Sequence, residues 1–134
     1  MLVKICGLNP LRDVQVCLDL KVNFLGFIFY EKSSRNLSLN DLNILNKYNK
    51  KDSSFVAVTV NPNDEFIKKI NTKKIDYIQL HGSESNDRIQ EIKKNSKLKI
   101  IKAIKIKSEK DIDDYKKFAD ADIILFDTPG MEKS

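Results

Sequence analysis

Phe55-Val56-Ala57-Val58-Thr59-Val60-Asn61-Pro62-Asn63-Asp64 is the stretch that decides the fold of this chain. Its first six residues are apolar or β-branched almost without break, the composition of a strand packed on both faces. Pro62 then removes a backbone donor, and Asn61-Pro62-Asn63-Asp64 gives a turn and a helix cap. Phe66, Ile67 and Ile70 follow at helical spacing, and Asp76-Tyr77-Ile78-Gln79-Leu80 resumes the strand pattern. Strand, helix and strand in this order form a βαβ unit with its two strands parallel.

Outward from this unit the pattern repeats. On the N-terminal side, Leu2 to Cys6 and Asn23 to Phe29 read as strands, and Leu11, Val14, Val16, Cys17 and Leu20 mark a helix over Leu11 to Leu20. A polar loop from Tyr30 to Ser38 leads to a helix capped by Ser38. That helix carries Leu39, Leu42, Leu45 and Tyr48, with Lys47, Lys50 and Lys51 at its basic end. On the C-terminal side, His81-Gly82 ends the fourth strand, and a helix over Ser85 to Lys94 turns Ile89 and Ile92 inward. Leu98 to Ile104 is a fifth strand. Ser108 caps a fifth helix with Ile112, Tyr115 and Phe118, and Asp122 to Phe126 is a sixth strand. Strand starts recur every ~21 to 32 residues, consistent with βα units. The expectation is an α/β chain with a parallel sheet, in one domain over residues 1–134.

Bulk properties narrow the function classes. The 134 residues are 41% hydrophobic and 32% charged, which suits a folded domain rather than a disordered chain. No apolar run approaches the ~20 residues of a membrane span, and no secretory leader is evident, so the expected location is cytoplasmic. The net charge of +5 is spread over lysines without aromatic interleaving. It reads as a solvated surface rather than a nucleic-acid groove, although it would draw in an anionic substrate. Cys6 and Cys17 sit in no paired Cys/His motif and His81 adds no second ligand, so neither a disulfide framework nor a metal site is expected.

Strands of a parallel barrel all present their carboxyl ends on one face, where such folds hold their chemistry. Cys6 ends the first strand in Lys4-Ile5-Cys6-Gly7, and Asp127 follows the sixth in Leu125-Phe126-Asp127-Thr128. A thiol base and a carboxylic acid there make a proton-transfer pair. The residues alone equally allow Cys6 to be a small core side chain and Asp127 to cap the turn Thr128-Pro129-Gly130. Arg35 offers a planar fork for a carboxylate or phosphate, or is a solvated loop residue. His81 is either a switchable acid or base or a satisfied polar group at a strand end. Lys102 carries an amine for Schiff-base chemistry, but nothing near it in sequence argues for that role.

These motifs together resemble the phosphoribosylanthranilate isomerase family. The resemblance is carried by Lys4-Ile5-Cys6-Gly7-Leu8, Gly26-Phe27-Ile28-Phe29, Ser33-Ser34-Arg35-Asn36-Leu37-Ser38, Val58-Thr59-Val60-Asn61, Ile78-Gln79-Leu80-His81-Gly82 and Leu125-Phe126-Asp127-Thr128. It implies a (β/α)8 TIM barrel, present here as an incomplete barrel of about six parallel strands and five helices. It also implies an Amadori rearrangement of N-(5-phosphoribosyl)anthranilate in tryptophan biosynthesis, a phosphosugar substrate and no cofactor. By resemblance Cys6 is the general base, Asp127 the general acid, and Arg35 and His81 substrate-binding residues. The family's glycine-rich stretch and phosphate loops follow the point where Ser134 ends this chain, so a partial isomerase is expected. Open strand edges would then invite self-association. The alternative expectation is a non-catalytic remnant serving as a binding or assembly module.

Overall fold

The computed structural model describes residues 1–128. Six strands, β1 (Lys4–Ile5), β2 (Phe24–Phe29), β3 (Ser54–Thr59), β4 (Tyr77–Leu80), β5 (Lys99–Lys105) and β6 (Ile123–Asp127), form one sheet. They lie in the order of the chain, and every neighbouring pair is parallel. Consecutive order with crossovers of one hand puts all connecting helices on one face and lets the other face curl inward. The expected six-stranded parallel half-barrel is what forms.

The alternation of side chains along each strand divides the core in two. Outward-facing Leu25, Phe27, Phe55, Ala57, Ile78, Leu80 and Ile100 pack under the helices in a large buried cluster. Phe27 and Phe55 meet edge to face at 5.6 Å across β2 and β3. Burying each such ring contributes roughly 1.5–3 kcal/mol. Inward-facing Ile28, Val56, Val58 and Ile101 fill a smaller cluster inside the curl, with Cys6, Tyr77, Ile123 and Leu125 packed against it.

A repeated device locks the amino ends of the strands. The residue just before each even strand accepts a backbone N–H from the start of the preceding odd strand. Asn23 Oδ1 accepts from Val3 at 2.8 Å, Asp76 Oδ2 from Phe55 at 2.9 Å, and Asp122 Oδ2 from Ile100 at 2.8 Å. Each aspartate is also held by a lysine: Lys50 Nζ lies 2.6 Å from Asp76 and Lys93 Nζ 3.2 Å from Asp122.

The helices differ more from expectation than the strands. Helix α1 covers only Val14–Asp19, because residues 10–13 turn around Asn9, whose side chain accepts from the N–H of Leu11 and Arg12. Helix α2 (Asp41–Ile44) lasts one turn and tightens into a 3₁₀ segment, Leu45–Lys47. Ser38 does not cap it directly; its N–H and hydroxyl bond the Asp41 carboxylate instead. Helices α3 (Asp64–Ile70) and α4 (Asn86–Asn95) start as read, with Asn63 and Ser85 accepting from Phe66 and Arg88. The fifth helix, Glu109–Lys117, is 3₁₀ rather than α, and its Ile112 and Tyr115 are exposed instead of inward. Both departures follow apolar stripes spaced by three residues, the period at which side chains eclipse in a 3₁₀ helix.

The outer elements carry exposed apolar side chains: Leu2 and Ile5 at β1, Leu11, Val16 and Leu20 around α1, and Phe126 on β6. Among the described residues, no helix is long and apolar enough to cross a membrane.

Candidate active site

The carboxyl ends of the strands surround a cleft of about 1200 Å³ whose lining includes Cys6, Ile28, Arg35, Gln79, His81 and Asp127. Strand register explains the set. Cys6 continues the face of Lys4 on β1, His81 follows Gln79 two residues on along β4, and Asp127 ends β6 two residues after Leu125. All of these positions share the inward parity of the sheet.

Cys6 is half-buried at the foot of the loop that Gly7 turns. Gly7 holds φ +79°, a left-handed conformation that side chains disfavour, and its open face is where the Arg35 guanidinium lies. A Cβ there would overlap Arg35 Nη1. Arg35 Nη1 donates to the Cys6 carbonyl at 3.2 Å, so the fork is delivered from the β2 loop onto the end of β1. On the neighbouring strand, Gly26 leaves room for the thiol: a Cβ there would meet Cys6 Sγ at 3.2 Å. The second cysteine is different in kind. Cys17 is buried in α1, and burial pushes its thiol up, with the Asp13 charge adding to the effect.

His81 joins two strands that are not neighbours. Its Nε2 lies 3.0 Å from Asp127 Oδ2, spanning β5 from β4 to β6, and its Nδ1 lies 3.2 Å from the Gln79 side-chain amide. Its backbone N–H donates to Thr59 on β3 at 2.9 Å. The His81 and Asp127 side chains are 28% and 41% exposed, open enough to meet a ligand. The turn that Asp127 would cap reaches Pro129 and Gly130, which lie outside the described residues.

Lys102 turns away from this group. Its ammonium is buried beside Glu84 at 3.0 Å, donates to the Gly82 carbonyl at 2.8 Å, and sits 5.2 Å from the Phe118 ring. An amine so engaged is no free nucleophile. Glu84 also accepts from the backbone N–H of Gly82 and Asn61, at 2.9 and 2.7 Å, and so pins the loops after β3 and β4. Sequence reasoning gave no role to Glu84 or to the Gln79 side chain. Period-two alternation, which puts Gln79 on the face of His81, is the signal that could have found it; for Glu84 there was none.

Three comparisons bear on this arrangement. The model of the family described as N-(5'phosphoribosyl)anthranilate (PRA) isomerase matches residues 3–133. The chain is 40% identical over 133 residues to the N-(5'-phosphoribosyl)anthranilate isomerase of Staphylococcus epidermidis, covering 98% of this chain and 64% of that protein. The corresponding protein of Petrotoga mobilis is 41% identical over 133 residues, covering 98% and 62%. The crystal structure of phosphoribosyl anthranilate isomerase from Thermotoga maritima superposes with a TM-score of 0.86 at 29% identity, over 97% of this chain and 63% of that one. A further isomerase structure, in complex with reduced 1-(o-carboxyphenylamino)-1-deoxyribulose 5-phosphate, gives 0.85 at 29% identity, over 96% and 65%. The chain thus spans a little under two thirds of the length of these relatives. With the strand order, the cleft at the carboxyl ends and the sequence match all in agreement, the chain belongs to the N-(5'-phosphoribosyl)anthranilate isomerase family.

Proposed function

We propose that this chain carries the reacting groups for the isomerisation of N-(5'-phosphoribosyl)anthranilate, a step of tryptophan biosynthesis. The observation that supports it best is that Cys6 from β1 and Asp127 from β6, the two outermost strands, line one cleft with Arg35 laid over Gly7. Asp127 gives a proton to the furanose ring oxygen as the C1–O bond breaks, which leaves C1 doubly bonded to the anthranilate nitrogen. The Cys6 thiolate takes the proton from C2, and the C–H electrons move into the C1–N system. The resulting enolamine then loses its C2 hydroxyl proton and gains a proton at C1, which gives the ketone at C2 and restores the acid and the base. The cationic nitrogen is the electron sink, so one base and one acid suffice, and the reading calls for no cofactor. Arg35 pairs with the anthranilate carboxylate through its planar fork, and His81 lies where it touches substrate beside Asp127. A small anionic phosphosugar derivative also suits a chain of net charge +5. The location in this reading is the cytoplasm.

The test is fluorescence-monitored turnover of the substrate by the purified chain, with Cys6→Ala and Asp127→Asn as controls. Loss of a general acid or base lowers turnover by about 10²- to 10⁴-fold. A folded chain with neither turnover nor binding of the reduced product analogue would overturn the proposal and leave the assembly-module reading. The exposed Leu20 at the end of α1 and Phe126 on the edge strand β6 support self-association as part of the same reading. Sedimentation at rising concentration checks it: the parent chain gains mass and a Leu20→Lys/Phe126→Lys chain does not.

A further inference from the structure

We propose that Gln79 is a positioning residue for the acid of this site: its side-chain amide fixes which nitrogen of His81 carries the proton, and so aims an N–H at the Asp127 carboxylate. The inference rests on the reading of Asp127 as the general acid and adds a residue to it.

Strand β4 sends Ile78 and Leu80 under the helices and Gln79 and His81 toward the cleft. Gln79 is 2% exposed, so its amide has little freedom to turn and no water shell to satisfy it. The amide nitrogen lies 3.2 Å from His81 Nδ1, and His81 Nε2 lies 3.0 Å from Asp127 Oδ2. A neutral imidazole has one donor and one acceptor nitrogen, and the partner of either fixes the other. With the Gln79 N–H directed at Nδ1, that nitrogen accepts. The ring proton then sits on Nε2 and is donated to Asp127.

The opposite amide orientation satisfies fewer of the same atoms. As placed, Gln79 leaves its Oε1 as a buried side-chain oxygen without a partner among the described residues. Turned over, it would direct Oε1 at Nδ1 and bury two N–H donors in place of that oxygen. Orphaned donors are the rarer arrangement in folded proteins. The turned amide would also require the proton on Nδ1, so that the Nε2 lone pair faced the carboxylate. The placed orientation satisfies both ends of the ring.

This gives Asp127 two distinct oxygens. Oδ2 is occupied by the His81 N–H, so the proton for the substrate ring oxygen rides on Oδ1. As that proton leaves, negative charge develops on the carboxylate, and the Nε2–H is already in place to receive it. Such a preorganised donor acts where the charge appears. The other ionisable groups on the cleft are Cys6, Tyr30, Lys32, Arg35, Lys102, Lys105, Asp114 and Lys117, of which Lys102 is held by Glu84. The His81 ring's own hydrogen bonds are to Gln79 and Asp127.

His81 is the sole histidine of the chain, so its ring can be read without ambiguity. The experiment is long-range ¹⁵N–¹H correlation NMR of the ¹⁵N-labelled full chain at a pH where the ring is neutral, for the parent, Gln79→Leu and Gln79→Glu. The expected parent ring has an unprotonated Nδ1 and a protonated Nε2. Gln79→Leu should mix the two forms, and Gln79→Glu, which offers only acceptors to the ring, should move the proton to Nδ1. A parent ring protonated on Nδ1 would overturn the inference, as would a tautomer unchanged in both variants. If Gln79→Leu fails to fold, the near-isosteric Gln79→Glu and the parent spectrum still decide. Where turnover is measurable, kcat should fall by about 10- to 100-fold with KM nearly unchanged, less than loss of the acid itself. A parent chain without turnover would remove the isomerase reading and leave the ring result standing; turnover with an Nδ1-protonated ring would do the reverse.

Discussion

Replacing Lys102 by methionine should be among the most damaging single changes to this fold, although the residue takes no part in the proposed chemistry. Its side chain and that of Glu84 are 3% and 1% exposed, and the ammonium bonds Glu84 at 3.0 Å and the Gly82 carbonyl at 2.8 Å. Methionine keeps the length and the contact with Phe118 but removes the charge. Glu84 is then left buried with two backbone N–H donors and no cation. Stranding one partner of a buried ion pair costs about 3–5 kcal/mol. Against a total stability of roughly 5–15 kcal/mol, that is a large fraction. At an unfolding entropy of about 2.1 cal/mol/K per residue it lowers Tm by roughly 10–20 °C. Thermal and urea unfolding followed by circular dichroism measure it. Lys102→Met/Glu84→Gln should recover most of the loss, because no orphan charge remains. A single variant within about 1 kcal/mol of the parent, or a double variant worse than the single, would refute the argument.

Gly7→Ala should cost about 1–2 kcal/mol for its left-handed backbone and push the Arg35 guanidinium off the end of β1; in the proposed reaction KM then rises more than kcat falls. Iodoacetamide should label Cys6 well before Cys17, since Cys17 is buried and its thiol is pushed up; peptide mapping by mass spectrometry reads the order, and equal rates would contradict the packing of α1. Three carboxylates are held below their ordinary value of 3.8: Asp13 chiefly by the Asn9 N–H, Asp111 by the Lys107 and Ser108 N–H groups, and Asp120 by the Asn86 and Gln90 amides. A carboxylate that binds its proton less tightly when folded stabilises above the unfolded value and loses that stabilisation as pH falls through the folded one. Tm should therefore hold down to about pH 5 and fall below about pH 4, with Asp120→Asn and Asp111→Asn each flattening the acid slope.

The strands were legible because their β-branched runs satisfy two buried faces at once, and the cap within Asn61-Pro62-Asn63-Asp64 was legible because a cap is a local hydrogen bond; Ser85, read as the first helical residue, is itself the cap of α4. The shortened α1 was not. Leu11, Val16 and Leu20 look like core positions by period, yet they are exposed, so their apolar character has no partner within the described residues. The stripes at Leu39, Leu42 and Leu45 and at Ile112, Tyr115 and Phe118 were read as α-helix although their spacing of three suits the tighter winding that forms. At the site, strand-end and loop positions supplied Cys6, Arg35, His81 and Asp127 as candidates and the resemblance gave them roles, but neither showed which of them meet. The His81–Asp127 bond depends on the curl of the sheet. Two strands apart, a flat sheet separates positions by about 10 Å, a distance that no sequence pattern shortens. Glu84 was invisible because its partners come from the middle of β5 and from the separate loops after β3 and β4.

The locks at Asn23, Asp76 and Asp122 divide the molecule's tolerance for change. Every one of them sits at the amino end of a strand, and every proposed reacting group sits at the opposite end. Substitutions in the loops after the strands can therefore accumulate without loosening strand pairing, and substitutions in the locks can be selected for rigidity without touching the cleft. A lineage built this way can explore new substrates and new temperatures as nearly separate problems, with the buried Lys102–Glu84 pair as the place where the two searches collide.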